Sequence, residues 1–279
     1  MKRASALQRL SRPPSLPRRP RDAHKGTFGT VVIVAGSETM LGAAILCARG
    51  ALRGGAGLVS AALPRPLCAP FMVAVPAATT RVRTAGGIDR LLQDASAVVV
   101  GPGLGATRAT RRLLLLILRA ARVPVVLDAD ALNVLAPLGA ARPWRTTSVL
   151  LPHPGEAARL LGTTPALVQR DRVAAVQELA RRSGAVAVLK GAGTLVCDGR
   201  RLFTNRTGNP GLATGGSGDV LAGLVGALLA QGLDPFAAAC LGVHVHGKAG
   251  DLVARRLSQA GLGAEDLPLA IAELLAPGS

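Results

Sequence analysis

The chain has 279 residues, of which 49% are apolar, and its formal net charge is +17. It contains enough apolar sequence for one large core, and no uncharged apolar run reaches the roughly 18 residues that a membrane-spanning helix needs. The positive charge suggests nucleic-acid binding, but only 2% of the residues are aromatic and the arginines are scattered, so neither a membrane nor a nucleic-acid partner is predicted.

The N-terminal segment, MKRASALQRLSR, is basic and has no apolar core of the kind that a secretory signal needs. We expect residues 1–15 to be a disordered tail of a cytoplasmic protein, and an organelle-targeting peptide is the alternative. No long polar linker divides the rest of the chain. Residues 16–279 are therefore expected to form a single domain.

Short runs rich in valine, isoleucine and leucine follow, and helical patterns lie between them. The runs do not alternate apolar with polar residues, which is typical of strands buried on both faces of a parallel sheet. The alternation predicts an α/β fold, with a central, mostly parallel sheet between two layers of helices. The runs begin at Thr30, Ser96, Val123, Ser148 and Ala185, and the helical patterns cover residues 42–53, 107–122, 156–161 and 165–183.

Each of these strands is followed by residues suited to a binding site, in the motifs AGS, GPGLG, DADALN, PHPGE and KGAGT. Ligands of open α/β sheets bind at the carboxyl ends of the strands. The five motifs therefore predict one crevice. The plainer alternative is that glycine and proline only mark turns.

A glycine-rich stretch, TGGSGD, ends at Asp219 where an apolar helix begins. Successive amides at a helix start bind anions. Asp219 could simply cap the helix, but a cap does not require the glycines before it. We interpret the stretch as a phosphoryl-transfer site, in which the amides stabilise the transferred group and Asp219 accepts the proton of the attacking hydroxyl. The chain has no GxxxxGK[ST] and no GxGxxG, which argues against a P-loop and against hydride transfer.

Cysteine and histidine spacing gives no sign of a metal site. The cysteines are far apart, and His244 and His246 are two residues apart, a spacing that does not place both on one helix face. We predict no disulfide framework, and the ligands of any metal stay open.

The motifs HKGTFGTVVIVAGS, VVGPGLG, VLDADALN, LLPHPGE, VLKGAGTLV and NRTGNPGLATGGSGDVLAG occur in this order. Over residues 16–254 the chain thereby resembles the ADP-dependent NAD(P)H-hydrate dehydratases of the ribokinase-like superfamily. The resemblance implies a three-layer α/β/α fold of that superfamily and dehydration of the S form of hydrated NADH or NADPH. ADP would phosphorylate the ring hydroxyl and phosphate would then be eliminated, leaving NAD(P)H, AMP and phosphate.

The resemblance also implies a homotetramer, and Mg²⁺ is expected because nucleotide phosphates need neutralising. Many relatives carry a fused epimerase domain for which this chain is too short, so we expect the epimerase to be a separate protein or absent. It places the hydrated coenzyme at Ala43, Gly105, His153 and the catalytic Asp219. It places the nucleotide at Lys190, Gly191, Ala192, Gly193, Thr194, Asn209 and Gly218.

Three alternatives stay open. His153 could be a turn histidine. Asp128 or Asn133 could order phosphate or Mg²⁺, or Asp130 or Asn133 could cap a helix. A small-molecule kinase, such as a hydroxyethylthiazole kinase, would keep the glycine loop and Asp219 but leave a phosphorylated product.

Overall fold

The computed structural model describes residues 7–16, 18–84, 87–139, 144 and 146–275. These residues form a ten-stranded sheet with the strand order β1-β10-β9-β8-β7-β6-β5-β2-β3-β4. The strands are β1 (Gln8–Leu10), β2 (Thr30–Val34), β3 (Leu58–Leu63), β4 (Thr79–Val82), β5 (Ala97–Val100), β6 (Val125–Leu127), β7 (Ser148–Leu150), β8 (Val186–Leu189), β9 (Leu195–Cys197) and β10 (Arg201–Thr204).

Neighbouring strands run parallel except around β9, which pairs antiparallel with both β8 and β10. The central strands are continuous apolar runs because both faces of the sheet are covered. Val31 and Ile33 belong to one core, and Val32 and Val34 to the other. The predicted fold class, a mostly parallel sheet with helices on both sides, is thus confirmed.

Helices α1, α2, α9, α10 and α11 cover one face of the sheet and α3 to α8 cover the other. Helix α9 is apolar all round because it lies between the sheet, α1 and α10. The helices are α1 (Leu41–Arg53), α2 (Arg65–Ala74), α3 (Ile88–Leu92), α4 (Arg108–Ala120), α5 (Asp130–Leu135), α6 (Pro154–Leu161), α7 (Pro165–Arg170), α8 (Arg172–Ser183), α9 (Ser217–Ala230), α10 (Pro235–Arg256) and α11 (Leu267–Leu274). In the part of the chain that is described, none of them combines the length and the apolar character needed to cross a membrane.

The structure corrects two sequence-based expectations. Residues 8–10, placed in the disordered tail, form a strand that pairs parallel with β10, and the N–H of Gln8 donates to the carbonyl of Arg200. Without β1, strand β10 would leave its N–H and C=O groups unpaired at the sheet edge. The helix predicted over 165–183 is two helices, because Asp171 accepts a hydrogen bond from the N–H of Ala174 and begins a new one. Residues 1–6 of the predicted tail lie outside the described residues.

Candidate active site

A cavity of about 820 Å³ opens beyond the carboxyl ends of β7 and β8, beside β10 and the first turn of α9. Its lining brings together most of the residues that the sequence singled out. These are His153, Lys190, Gly191, Ala192, Gly193, Thr194, Asn209 and Gly218. Asp219, Ala43 and Gly105 are not part of the lining.

The glycine loop has the geometry of an anion site. Gly216 precedes α9 in the left-handed conformation, with a φ of 89°, and no side chain caps the helix. Ser217 and Gly218, the first two residues of α9, line the cavity. The uncapped N-terminus of a 14-residue helix, with its partial positive charge, therefore borders the cavity.

Asp219 lies in the first turn of the same helix and is largely removed from solvent. Burial raises its pKa, the negative charge of Asp128 raises it too, and the ammonium of Lys190 opposes both effects; the net pKa is about 7. Burial, and after it the negative charges of Asp219 and Asp128, raise the pKa of the Cys47 thiol. Cys47 follows Ala43 by one turn on α1. The carboxyl group of Asp219 therefore interacts electrostatically with Lys190 in the cavity lining and with Cys47 on α1.

Lys190 ends β8 and lies beneath the glycine loop. Its Nζ is 2.6 Å from Oδ1 of the buried Asp128 and 3.9 Å from Oε2 of Glu156. A Cβ built on Gly218 would lie 3.4 Å from Nζ of Lys190. Burial alone lowers the pKa of Lys190, but the carboxylates of Asp128 and Glu156 outweigh it, and the net pKa is raised. A permanent cation is thus held at the end of the cavity that faces α9.

His153 both caps a helix and lines the cavity. Its ring Nδ1 accepts a hydrogen bond from the backbone N–H of Gly155 at 2.9 Å. The backbone N–H of His153 donates to the carboxylate of Glu156 at 2.7 Å. Burial and the nearby cations Lys190 and Arg159 lower its pKa, while Asp128 opposes them. Since Nδ1 is an acceptor, the proton of the neutral ring sits on Nε2. His153 can therefore donate one hydrogen bond from Nε2.

Ala43 and Gly105 lie where α1 meets the GPGLG turn, outside the cavity lining. A Cβ built on Gly103 would be 2.9 Å from the Cβ of Ala43, so α1 rests on the GPGLG turn. The N–H of Gly105 donates to Asp130 at 2.8 Å, and a Cβ at Gly105 would come no closer than 4.0 Å to any atom. Asp130 also accepts from Asn133, which in turn accepts from Arg159. Asp130 and Asn133 thus tie the motifs together, and the space beside Gly105 is open.

Sequence reasoning missed the supporting residues of the cavity. Asp128 and Glu156 both lie near Lys190, from which they are far apart in sequence. His246 donates to the carbonyl of Ser217 at 3.0 Å, and Asp251 accepts from Gly208 and Asn209. His246 and Asp251 lie on α10 and their partners lie on distant loops, so no local spacing in the sequence predicts these bonds. The one available signal was that both are polar residues in a largely apolar helix.

The fold and the cavity define a class: an α/β protein of the ribokinase-like type, with a nucleotide-sized cavity at a helix N-terminus. Residues 31–272 match the NAD(P)H-hydrate dehydratase family. The chain belongs to this family.

Individual relatives agree with the family match. The ADP-dependent (S)-NAD(P)H-hydrate dehydratase of Neisseria meningitidis is 47% identical over 84% of this chain and 80% of its own length. The bifunctional NAD(P)H-hydrate repair enzyme Nnr of Moorella thermoacetica is 43% identical over 90% of this chain, which spans 50% of that relative. A crystal structure of the ADP/ATP-dependent NAD(P)H-hydrate dehydratase from Bacillus subtilis, co-crystallised with ATP and Mg²⁺, matches with a TM-score of 0.84 at 31% identity, covering 93% of each chain.

Proposed function

We propose that the protein dehydrates the S form of hydrated NADH or NADPH, with ADP as phosphoryl donor and with AMP and phosphate as further products. The observation that carries the proposal is the position of Asp219. Its carboxyl group has a pKa of about 7 and lies in the first turn of α9, whose N-terminus borders the cavity. A proton acceptor beside a nucleotide pocket suits transfer of a phosphoryl group from the nucleotide to a second ligand.

In this proposal the nucleotide occupies the cavity. Lys190 and the 191–194 turn contact its phosphates, and the amides of Ser217 and Gly218 stabilise the charge on the transferred group. Asn209 shapes the loop on which the nucleotide lies, because its side chain bonds Asp251 and the N–H of Gly211. The cation of Lys190 is already in place, so binding does not have to bring it there.

The hydrated coenzyme lies against Ala43 and Gly105, where small residues leave room, and His153 donates from Nε2 to one of its oxygens. The ring hydroxyl attacks the terminal phosphorus of ADP, its proton passes to Asp219, and AMP leaves. The new ester then loses phosphate, which carries away the ring oxygen, and one ring proton is released to solvent, which restores the double bond. Asp219 also returns its proton to solvent. The ring thereby loses the elements of water, driven by cleavage of ADP.

Mg²⁺ would neutralise the nucleotide phosphates. Within the described residues no group of three His, Cys, Asp or Glu side chains could hold a metal ion. We therefore assign no protein ligand to the ion and no step to it. Mg²⁺ commonly enters such sites on the phosphates themselves.

The kinase alternative is not favoured, because the chain matches the dehydratase family over residues 31–272. The resemblance alone supports a homotetramer, and action in the cytoplasm and an epimerase that is separate or absent stay predictions. Sizing in solution by light scattering tests the tetramer.

The activity is tested by mixing the protein with hydrated NADH, Mg²⁺ and either ADP or ATP, and following the absorbance band of the reduced nicotinamide. The band returns with ADP if the proposal holds, and the comparison with ATP shows which nucleotide is preferred. A stable phosphorylated alcohol with no return of the band would contradict it.

A further inference from the structure

One wall of the cavity is the loop of residues 205–212, which lies along helix α10. The side-chain amide of Asn205 donates to the carbonyl of Val243 at 3.1 Å, and the hydroxyl of Thr207 donates to the carbonyl of His244 at 2.9 Å. A Cβ on Gly247 would collide with Thr207. The loop therefore rests directly on the backbone of α10.

Asp251, one turn further along α10, holds the part of the loop that faces the cavity. Its Oδ2 accepts from the N–H of Gly208 at 2.9 Å, and its Oδ1 accepts from Nδ2 of Asn209 at 3.0 Å. The side-chain oxygen of Asn209 then accepts from the N–H of Gly211 at 2.9 Å. One carboxylate thus sets both the backbone at 208 and the rotamer that shapes the turn at 209–211.

The negative charge of Asp251 does not explain why a carboxylate lies at this position. Asp251 is not part of the cavity lining, and a carboxylate behind an anion site repels the nucleotide. Its hydrogen bonds do explain it, since bonds to an ionised acceptor are stronger than bonds between neutral groups. The two explanations predict opposite signs: removal of the charge alone tightens nucleotide binding, and loss of the hydrogen bonds weakens it.

The same helix supports the start of α9. His246 is 7% exposed, and its Nε2 donates to the carbonyl of Ser217 at 3.0 Å. Burial lowers its pKa and outweighs the opposing bond to Ser217, so that the net pKa is about 4 and the ring stays neutral near pH 7. Loop 205–212 and the anion site of α9 thus have one common support.

We propose that Asp251 is a positioning residue that holds loop 205–212, through Gly208 and Asn209, in the shape that binds the nucleotide. The proposal rests on the proposed function only in taking ADP as the ligand of the cavity.

The test is a double-mutant cycle on full-length protein, with ADP and Mg²⁺ titrated by calorimetry. In Asp251→Asn, the new amide nitrogen faces the amide nitrogen of Asn209, and in Asn209→Asp two carboxylates face each other. The double variant restores one donor and one acceptor and keeps the net charge. Lys248→Ala, an exposed change on α10, is the matched control.

Each single variant is expected to raise the Kd for ADP at least about tenfold, equivalent to about 1.4 kcal/mol. The double variant is expected to bind ADP at least about tenfold more tightly than the two single losses added together predict, because the cycle isolates the pair. Its carboxylate at position 209 lies in the cavity lining, so full wild-type affinity is not expected. The control is unchanged. The KM for hydrated NADH stays within about twofold throughout, whereas a general loss of structure would raise both constants.

Equal or tighter ADP binding in Asp251→Asn overturns the proposal, and so do losses that simply add in the double variant. If a single variant does not fold, the double variant decides: a folded double variant that binds ADP supports the proposal, and failure of the double variant to fold overturns it. Wild-type protein that binds neither ADP nor ATP would instead refute the proposed function.

Discussion

The substitution Asp219→Asn tests whether Asp219 is a buried catalytic base or an acid that only stabilises the N-terminus of α9. The two roles predict opposite signs for its effect on stability. The carboxyl pKa of about 7 lies about three units above the ordinary value of 3.8, because burial and then Asp128 disfavour the charged form. Each unit is worth about 1.4 kcal/mol. The folded state therefore loses up to about 4 kcal/mol of stability as the pH rises from about 4 through 7. Asparagine has no charge to bury, so the variant is expected to be more stable than wild type at pH 8.

Urea unfolding at pH 8 and at pH 5 measures this difference, which is expected to shrink at the lower pH. Asp89→Asn is the control, because Asp89 is an exposed acid in the first turn of α3. It is expected to change stability by less than about 1 kcal/mol at either pH. Turnover of Asp219→Asn is expected to fall about 10²- to 10⁴-fold, with the Kd for ADP unchanged or lower. A variant that is less stable than wild type at pH 8, or that keeps its turnover, would show that Asp219 only stabilises the N-terminus of α9.

The other predictions concern the same two pockets. Since the base form of Asp219 is required, kcat/KM is expected to rise tenfold per pH unit up to about 7 and then level off; a flat profile from pH 5 to 8 would exclude this carboxylate as the base. Lys190→Ala leaves Asp128, which is 1% exposed, without its ion pair. We therefore expect the free energy of unfolding, measured in urea, to fall by about 3–5 kcal/mol. The Kd for ADP is expected to rise more than the KM for the hydrate. Equal rises would indicate a structural role, and adding Asp128→Asn is expected to regain stability but not ADP affinity. In Gly218→Ala the new methyl group meets Lys190 at ordinary contact distance, so the melting temperature is expected to change little. The methyl group occupies space in the cavity, and calorimetry is expected to show ADP binding weakened about tenfold or more. Unchanged ADP affinity would place the phosphates elsewhere. Ala43→Leu is expected to raise the KM for the hydrate and leave the Kd for ADP as it is; the reverse would move the hydrate site.

The sequence predicts the fold well because its signals are local. Apolar runs such as the one at Thr30 are typical of strands covered on both faces, and their alternation with helical patterns predicts the parallel sheet. Strand β1 was missed because three residues in a basic segment carry no pattern of their own. They form a strand only because β10 presents an open edge.

The site is predictable where one segment supplies the chemistry. The run from Thr214 to Asp219 contains both the anion site and the carboxyl group, and Lys190 stands out as a cation at the end of a buried strand. The partner of Lys190 could not be assigned, because Asp128 is 62 positions away in sequence and helix capping was an equally good reading of its motif. The raised pKa of Asp219 likewise arises from burial and from neighbours that only the fold brings together.

The central claim is that the hydroxyl of the hydrated coenzyme becomes a phosphate ester before it leaves. Hydrated NADH carrying a heavy oxygen isotope in that hydroxyl, turned over with unlabelled ADP in unlabelled water, tests it most directly. Mass spectrometry of the products is expected to find the label in inorganic phosphate, with one labelled phosphate for each NADH formed. Label released as water, with unlabelled phosphate, would contradict the account.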